Sequence, residues 1–164
     1  MKYTIIILLT LIISGCTQNR NFVITGDEGK TLPNLQLLLM DSITKYDLSK
    51  NDFKQPIILF FFNPYCPYCK AETSEIVDYS KSNNKIKFIF LSNFPYASIK
   101  EFYDQYHLSS YPNIVFGQDY FNCYGTHYRI PGFPYLAVFD QNKKLKKVWL
   151  GQTSLQTLQY MVSL

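Results

Sequence analysis

Cys66 and Cys69 are separated only by Pro67 and Tyr68, directly after the apolar run "PIILFFF", Pro56 to Phe62. Two thiols at that spacing can form a redox dithiol, half of a metal site, or a small structural disulfide. At the N-terminus of a helix, unpaired N–H groups and the macrodipole stabilise a thiolate. The first cysteine is then the nucleophile. The second, one turn on, can attack a mixed disulfide and release the product. A zinc site would need a second half, and no further C-x-x-C or H-x₃₋₅-H completes one. A disulfide closing so short a loop adds little stability. The expectation is redox chemistry, with Cys66 attacking and Cys69 resolving.

Such a dithiol needs a rigid strand before it and a helix after it. The run ending at Phe62 is continuous and apolar, as in a central strand covered on both faces. Pro67 suits the first turn of a helix, expected over 67–82 with Tyr68, Ala71, Ile76 and Tyr79 on one face. "KIKFIFLS", Lys85 to Ser92, is a second strong strand, so the order implies a right-handed parallel βαβ unit. An earlier strand is expected at Leu35 to Met40, an amphipathic helix around Ile99, Phe102, Tyr103 and Tyr106, and a short strand at Asn113 to Phe116. "YLAVFD" and "KKVWLG" read as a hairpin around Gln141 and Asn142. Leu155, Leu158 and Met161 define a final helix, capped by Thr153 or Ser154. The fold class is α/β, with a mixed central sheet flanked by helices.

The chain has 164 residues, a length suited to one domain with a proper core. Hydrophobic residues make up 47%, which excludes a disordered chain. Its 14 tyrosines and 13 phenylalanines read as core material rather than as a nucleic-acid stacking surface. A net charge of +4 is too mild to imply a polyanion, so no nucleic-acid partner is expected. The lysines of "NKKLKK", Asn142 to Lys147, are placed to protect a turn or sheet edge.

The N-terminus, "MKYTIIILLTLIISGC", has one early lysine and an apolar run too short for a confident membrane span. Its end, Ile13-Ser14-Gly15-Cys16, resembles a bacterial lipobox. The resemblance implies a lipoprotein signal peptide over 1–15 and a diacylglycerol on the Cys16 thiol. It also implies an extracytoplasmic location, where disulfides persist. Thr17, in place of an aspartate, favours the outer membrane over the inner. The polar stretch over 16–30 reads as a tether and 31–164 as the domain.

From about Thr31 the chain resembles the thioredoxin superfamily, and within it the TlpA/ResA-type thiol-disulfide oxidoreductases. The residues carrying the resemblance are the lead-in "LPNLQLLLMDS", the segment "ILFFFNPYCPYCK", Glu72 three residues after Cys69, and Pro134 in "IPGFPYLAVFD". It implies a thioredoxin-like fold and a catalytic set of Cys66, Cys69, Glu72 and Pro134. In that set Glu72 tunes protonation of the dithiol, and a cis Phe133–Pro134 bond faces it. A trans-proline starting a strand, and Pro131 as the cis-proline, are the competing readings of this segment. For Glu72 the competing reading is a solvated first-turn residue. Implied partners are disulfide-bearing extracytoplasmic proteins, a membrane or periplasmic thiol reductant, and the membrane through the lipid anchor. No metal or other cofactor is implied. The Pro-Tyr pair between the cysteines departs from thioredoxin and matches glutaredoxin-like motifs. That implies a couple less reducing than thioredoxin by about 40–70 mV.

Two other readings belong to different classes. In a copper-binding chaperone, Cys66, Cys69 and His127 would converge on a soft cation, although the C-x₂-C spacing is one residue shorter than usual for that role. A lipid-anchored interaction module would carry an unreactive dithiol. His107 and His127 read more simply as surface or loop residues, and Cys123 as a small buried hydrophobe.

Overall fold

The computed structural model describes residues 21–163. Eight strands form one mixed sheet, β1 (Phe22–Val23), β2 (Gln36–Leu39), β3 (Lys45–Asp47), β4 (Ile57–Phe61), β5 (Lys87–Ser92), β6 (Ile114–Gln118), β7 (Tyr135–Phe139) and β8 (Leu145–Leu150). Their spatial order is β1-β8-β7-β4-β5-β6-β2-β3. The helices are α1 (Pro67–Ser80), α2 (Tyr96–Gln105), α3 (Cys123–Tyr128) and α4 (Leu155–Ser163), with a 3₁₀ turn at Leu108–Ser110. This is the α/β architecture with a mixed central sheet that the pattern of elements implied, in the thioredoxin-like form that the resemblance implied.

Alternation along β4 builds two cores. Ile58, Phe60 and Phe62 face one side and pack with Ile76 of α1, Ile99 and Phe102 of α2, and Leu158 and Met161 of α4. Ile57, Leu59 and Phe61 face the other, with Leu35, Leu37, Leu48, Tyr124 and Tyr135. Every residue of β4 is buried, which explains its uninterrupted apolar sequence. The aromatic richness is core: Phe60, Phe62, Phe90, Phe102 and Phe116 make a connected cluster of ring contacts.

β4 pairs with β5 in parallel through the α1 crossover, as expected, and β5 with β6 likewise. β7 lies antiparallel on β4, with Phe61 opposite Tyr135. That register sets Pro134 beside Phe62, just before the turn into the dithiol.

Several expectations need correction. The stretch read as tether to residue 30 joins the sheet earlier, because Phe22 and Val23 pair with Trp149 and Val148. The Leu145 amide then donates to Lys30 O, and Gly29 N–H to Leu145 O. α1 ends at Ser80, and its buried face runs through Cys69, Glu72, Thr73, Ile76 and Tyr79, leaving Tyr68 exposed. The lysines of the hairpin act as latches: Lys143 Nζ donates to Ser49 O at 2.7 Å and Lys144 Nζ to Thr31 Oγ1 at 2.7 Å. Cys123 is exposed, since the inward position of α3 is taken by Tyr124. The cap of α4 is as expected: Ser154 Oγ accepts the Thr157 N–H.

Candidate functional site

The dithiol sits where β4 ends. Asn63 turns the chain: its side-chain oxygen accepts the Tyr65 N–H at 2.8 Å, and its carbonyl accepts the Cys66 N–H at 3.1 Å. Cys66 is the N-cap of α1, with extended backbone, and its carbonyl accepts the Lys70 N–H. Pro67 begins the helix without an N–H to leave unpaired. Cys66 is half-buried and Cys69 fully buried, and both are free thiols.

Burial pushes the Cys69 thiol far above the ordinary cysteine range. A backbone hydrogen bond at Asn63 offsets part of this, while Cys66 and Glu72 push it further up. The inner sulfur therefore senses both the outer one and, more weakly, the Glu72 carboxyl.

Glu72 is fully buried, so the solvated first-turn reading does not hold. Its Oε2 accepts the Thr153 N–H at 2.7 Å, tying α1 to the loop before α4. Its Oε1 has no partner. Burial raises its pKa from 4.5 to about 8; the Thr153 N–H lowers it and Glu75 raises it. Among the described residues Phe133–Pro134 is the cis bond, as the family resemblance implied, and Pro131 does not follow one.

Sequence reading missed the rings around Cys66. Tyr65 is 65% exposed, with its hydroxyl 2.7 Å from Ser98 Oγ. Its ring meets Phe94 edge-on, Phe94 meets Phe133, and Phe133 stacks on Phe61. Position alone signals Tyr65 and Phe133, which directly precede Cys66 and Pro134. Nothing local marks Phe94 or Ser98.

His127 does not join the thiols. It is exposed on α3, against Tyr128, and lines a cleft with Asp27. Among the described residues no three His, Cys, Asp or Glu side chains form a metal-ligating group. Cys16 lies outside the described residues. A cleft of about 540 Å³ along β6 and α2 contains none of the four proposed site residues.

No curated protein matches this chain. Among solved structures, it is similar to a secreted Mycobacterium tuberculosis disulfide oxidoreductase homologous to E. coli DsbE. That likeness has 18% identity and a TM-score of 0.66, covering 79% of this chain and 95% of the other. StoA from Bacillus subtilis is similar at 14% identity and TM-score 0.62, covering 77% and 94%. The exposed lipoprotein thioredoxin of Streptococcus pneumoniae is similar at 20% identity and TM-score 0.62, covering 80% and 99%. The family model described as thioredoxin-like matches residues 54–145, a span that includes Cys66, Cys69, Glu72 and Pro134. By that match, over more than half its length, the chain belongs to the thioredoxin-like family.

Proposed function

We propose that this chain is a TlpA/ResA-type thiol-disulfide oxidoreductase that exchanges or reduces disulfides on extracytoplasmic proteins. One observation carries the reading: a half-buried Cys66 caps α1 while Cys69, one turn along, is wholly buried. Only the outer sulfur is open to a protein substrate.

In the reducing direction, the Cys66 thiolate attacks one sulfur of a substrate disulfide. A Cys66–substrate disulfide forms and the other substrate sulfur leaves as a thiolate. Cys69 then loses its proton, attacks the Cys66 sulfur and expels the second substrate thiolate. Two electrons pass to the substrate, and the dithiol becomes the Cys66–Cys69 disulfide. In its ionised form Glu72 accepts the Cys69 proton, because a carboxyl titrating near 8 is mostly neutral but loses and regains its proton readily close to neutral pH. The backbone around Pro134 aligns an extended substrate segment beside Cys66. A membrane or periplasmic thiol reductant regenerates the dithiol. Cys16 carries lipid and holds the protein in the cell envelope, facing the periplasm, with the outer membrane favoured. The similarity to an exposed lipoprotein thioredoxin supports an envelope location, without bearing on which membrane.

The test is insulin reduction with dithiothreitol as the electron source. Wild type accelerates it, Cys66→Ser falls to background, and Cys69→Ser accumulates mixed disulfides in cells. Faster alkylation of Cys69 than of Cys66 in the reduced protein would reverse the assignment.

A further inference from the structure

A second cleft, of about 420 Å³, opens between the loop after β1, the end of α3 and the start of β7. Its polar groups are unequally engaged. Its one lining acid, Asp27, accepts Lys30 Nζ on Oδ1 at 2.6 Å.

The phenol donors lack partners. Tyr135 lines the cleft, is 1% exposed, and has a hydroxyl with no partner. Behind it, the Tyr124 hydroxyl is also buried and unpartnered, and the Tyr128 ring lies 4.7 Å from the Tyr124 ring. Burial raises all three phenols, so each keeps its proton and remains a donor at neutral pH. On the rim stand Arg129 and His127, and among the described residues neither makes a salt bridge. Arg129 takes a left-handed backbone at the C-cap of α3, with φ 47°.

Buried phenol donors that lack acceptors, beside a guanidinium that makes no salt bridge among the described residues, make a site for a group supplying acceptors and negative charge. A guanidinium fork and a phenol O–H match the oxygens of a carboxylate. Val23, Ile24 and Pro131 give the cleft apolar surface for the carbon skeleton. We infer that this cleft binds a carboxylate-bearing ligand, held by Arg129 at the rim and by the Tyr135 hydroxyl at the floor. The source is either a small organic acid or an acidic side chain of a protein bound at the neighbouring Pro134 loop. The inference stands apart from the dithiol chemistry and survives if that chemistry fails.

The experiment is calorimetric titration of the full-length protein with glutarate and with the peptide acetyl-Ala-Glu-Ala-amide. Glutaramide and the matching Gln peptide are the neutral controls. The carboxylate probes should bind and the neutral ones should be weaker by about tenfold or more. Arg129→Asn keeps a residue that tolerates the left-handed backbone and should weaken binding about tenfold. Tyr135→Phe should weaken it several-fold without disturbing the fold. Binding of glutarate identifies a free acid as sufficient, and binding of the peptide alone identifies a protein side chain. Failure of both probes, equal binding of the neutral controls, or indifference to both substitutions overturns the inference.

Discussion

Replacing Glu72 by glutamine should change how the stability of this protein depends on pH. In the folded chain Glu72 titrates at about 8 instead of 4.5, chiefly because it is buried. Between those values the folded state holds the proton and the unfolded chain does not. Stability therefore falls as pH rises through that interval and levels off above about 8. The gap corresponds to a ceiling of about 5 kcal/mol, at about 1.4 kcal/mol per pH unit. The side chain is fully buried, so solvent screening removes little of it. Glutamine does not titrate, yet it keeps an acceptor for the Thr153 N–H. Other titrating groups are common to both proteins and cancel in the difference. Urea denaturation of the reduced proteins should show wild type losing roughly 3–5 kcal/mol relative to Glu72→Gln between about pH 5 and about pH 9. A difference that stays constant across this range would refute the reasoning, and with it the account of Glu72 as a carboxyl kept protonated by burial.

Asp119 accepts the Cys123 and Tyr124 N–H groups at 2.9 and 2.8 Å. Asp119→Ala should cost about 1–3 kcal/mol by leaving those donors unpaired, while Cys66 alkylation stays unchanged; an unaltered denaturation midpoint would contradict this. A Cβ at Gly117 would lie 2.7 Å from Leu37 Cβ and 3.0 Å from Leu38 O, so Gly117→Ala should loosen the β2–β6 pairing. Hydrogen exchange at β2 reports that, and the expected cost is about 1–3 kcal/mol. Tyr135→Phe removes a buried hydroxyl without a partner and should raise the stability of the ligand-free protein by about 1 kcal/mol. Cys16→Ser should release the protein from membranes or block its processing, and a mature form still sedimenting with membranes would rule out the lipid anchor.

The amino-acid sequence by itself determined the centre of this protein. Six consecutive apolar residues, Ile57 to Phe62, are enough to demand a doubly covered strand, because no exposed position could hold them. Pro67 after Cys66 marks a helix start, since its missing N–H costs nothing there. Strand, helix and strand in that order allow essentially one parallel unit. Elements that depend on distant partners were not legible. Phe22–Val23 is a strand only because β8 offers its edge. α3 is short and contains glycine and threonine, poor helix formers, and it is held by the Asp119 carboxylate. At the site, spacing alone named Cys66 and Cys69, but which sulfur is hidden follows from how α1 packs. Glu72 could be pointed to in the sequence, but its pKa depends on burial and on Thr153, eighty-one residues away. The phenols of the second cleft carry no local signal at all. They matter only because the tertiary structure buries the Tyr124 and Tyr135 hydroxyls without acceptors, and hydrogen-bond satisfaction is a property of the whole fold rather than of any segment.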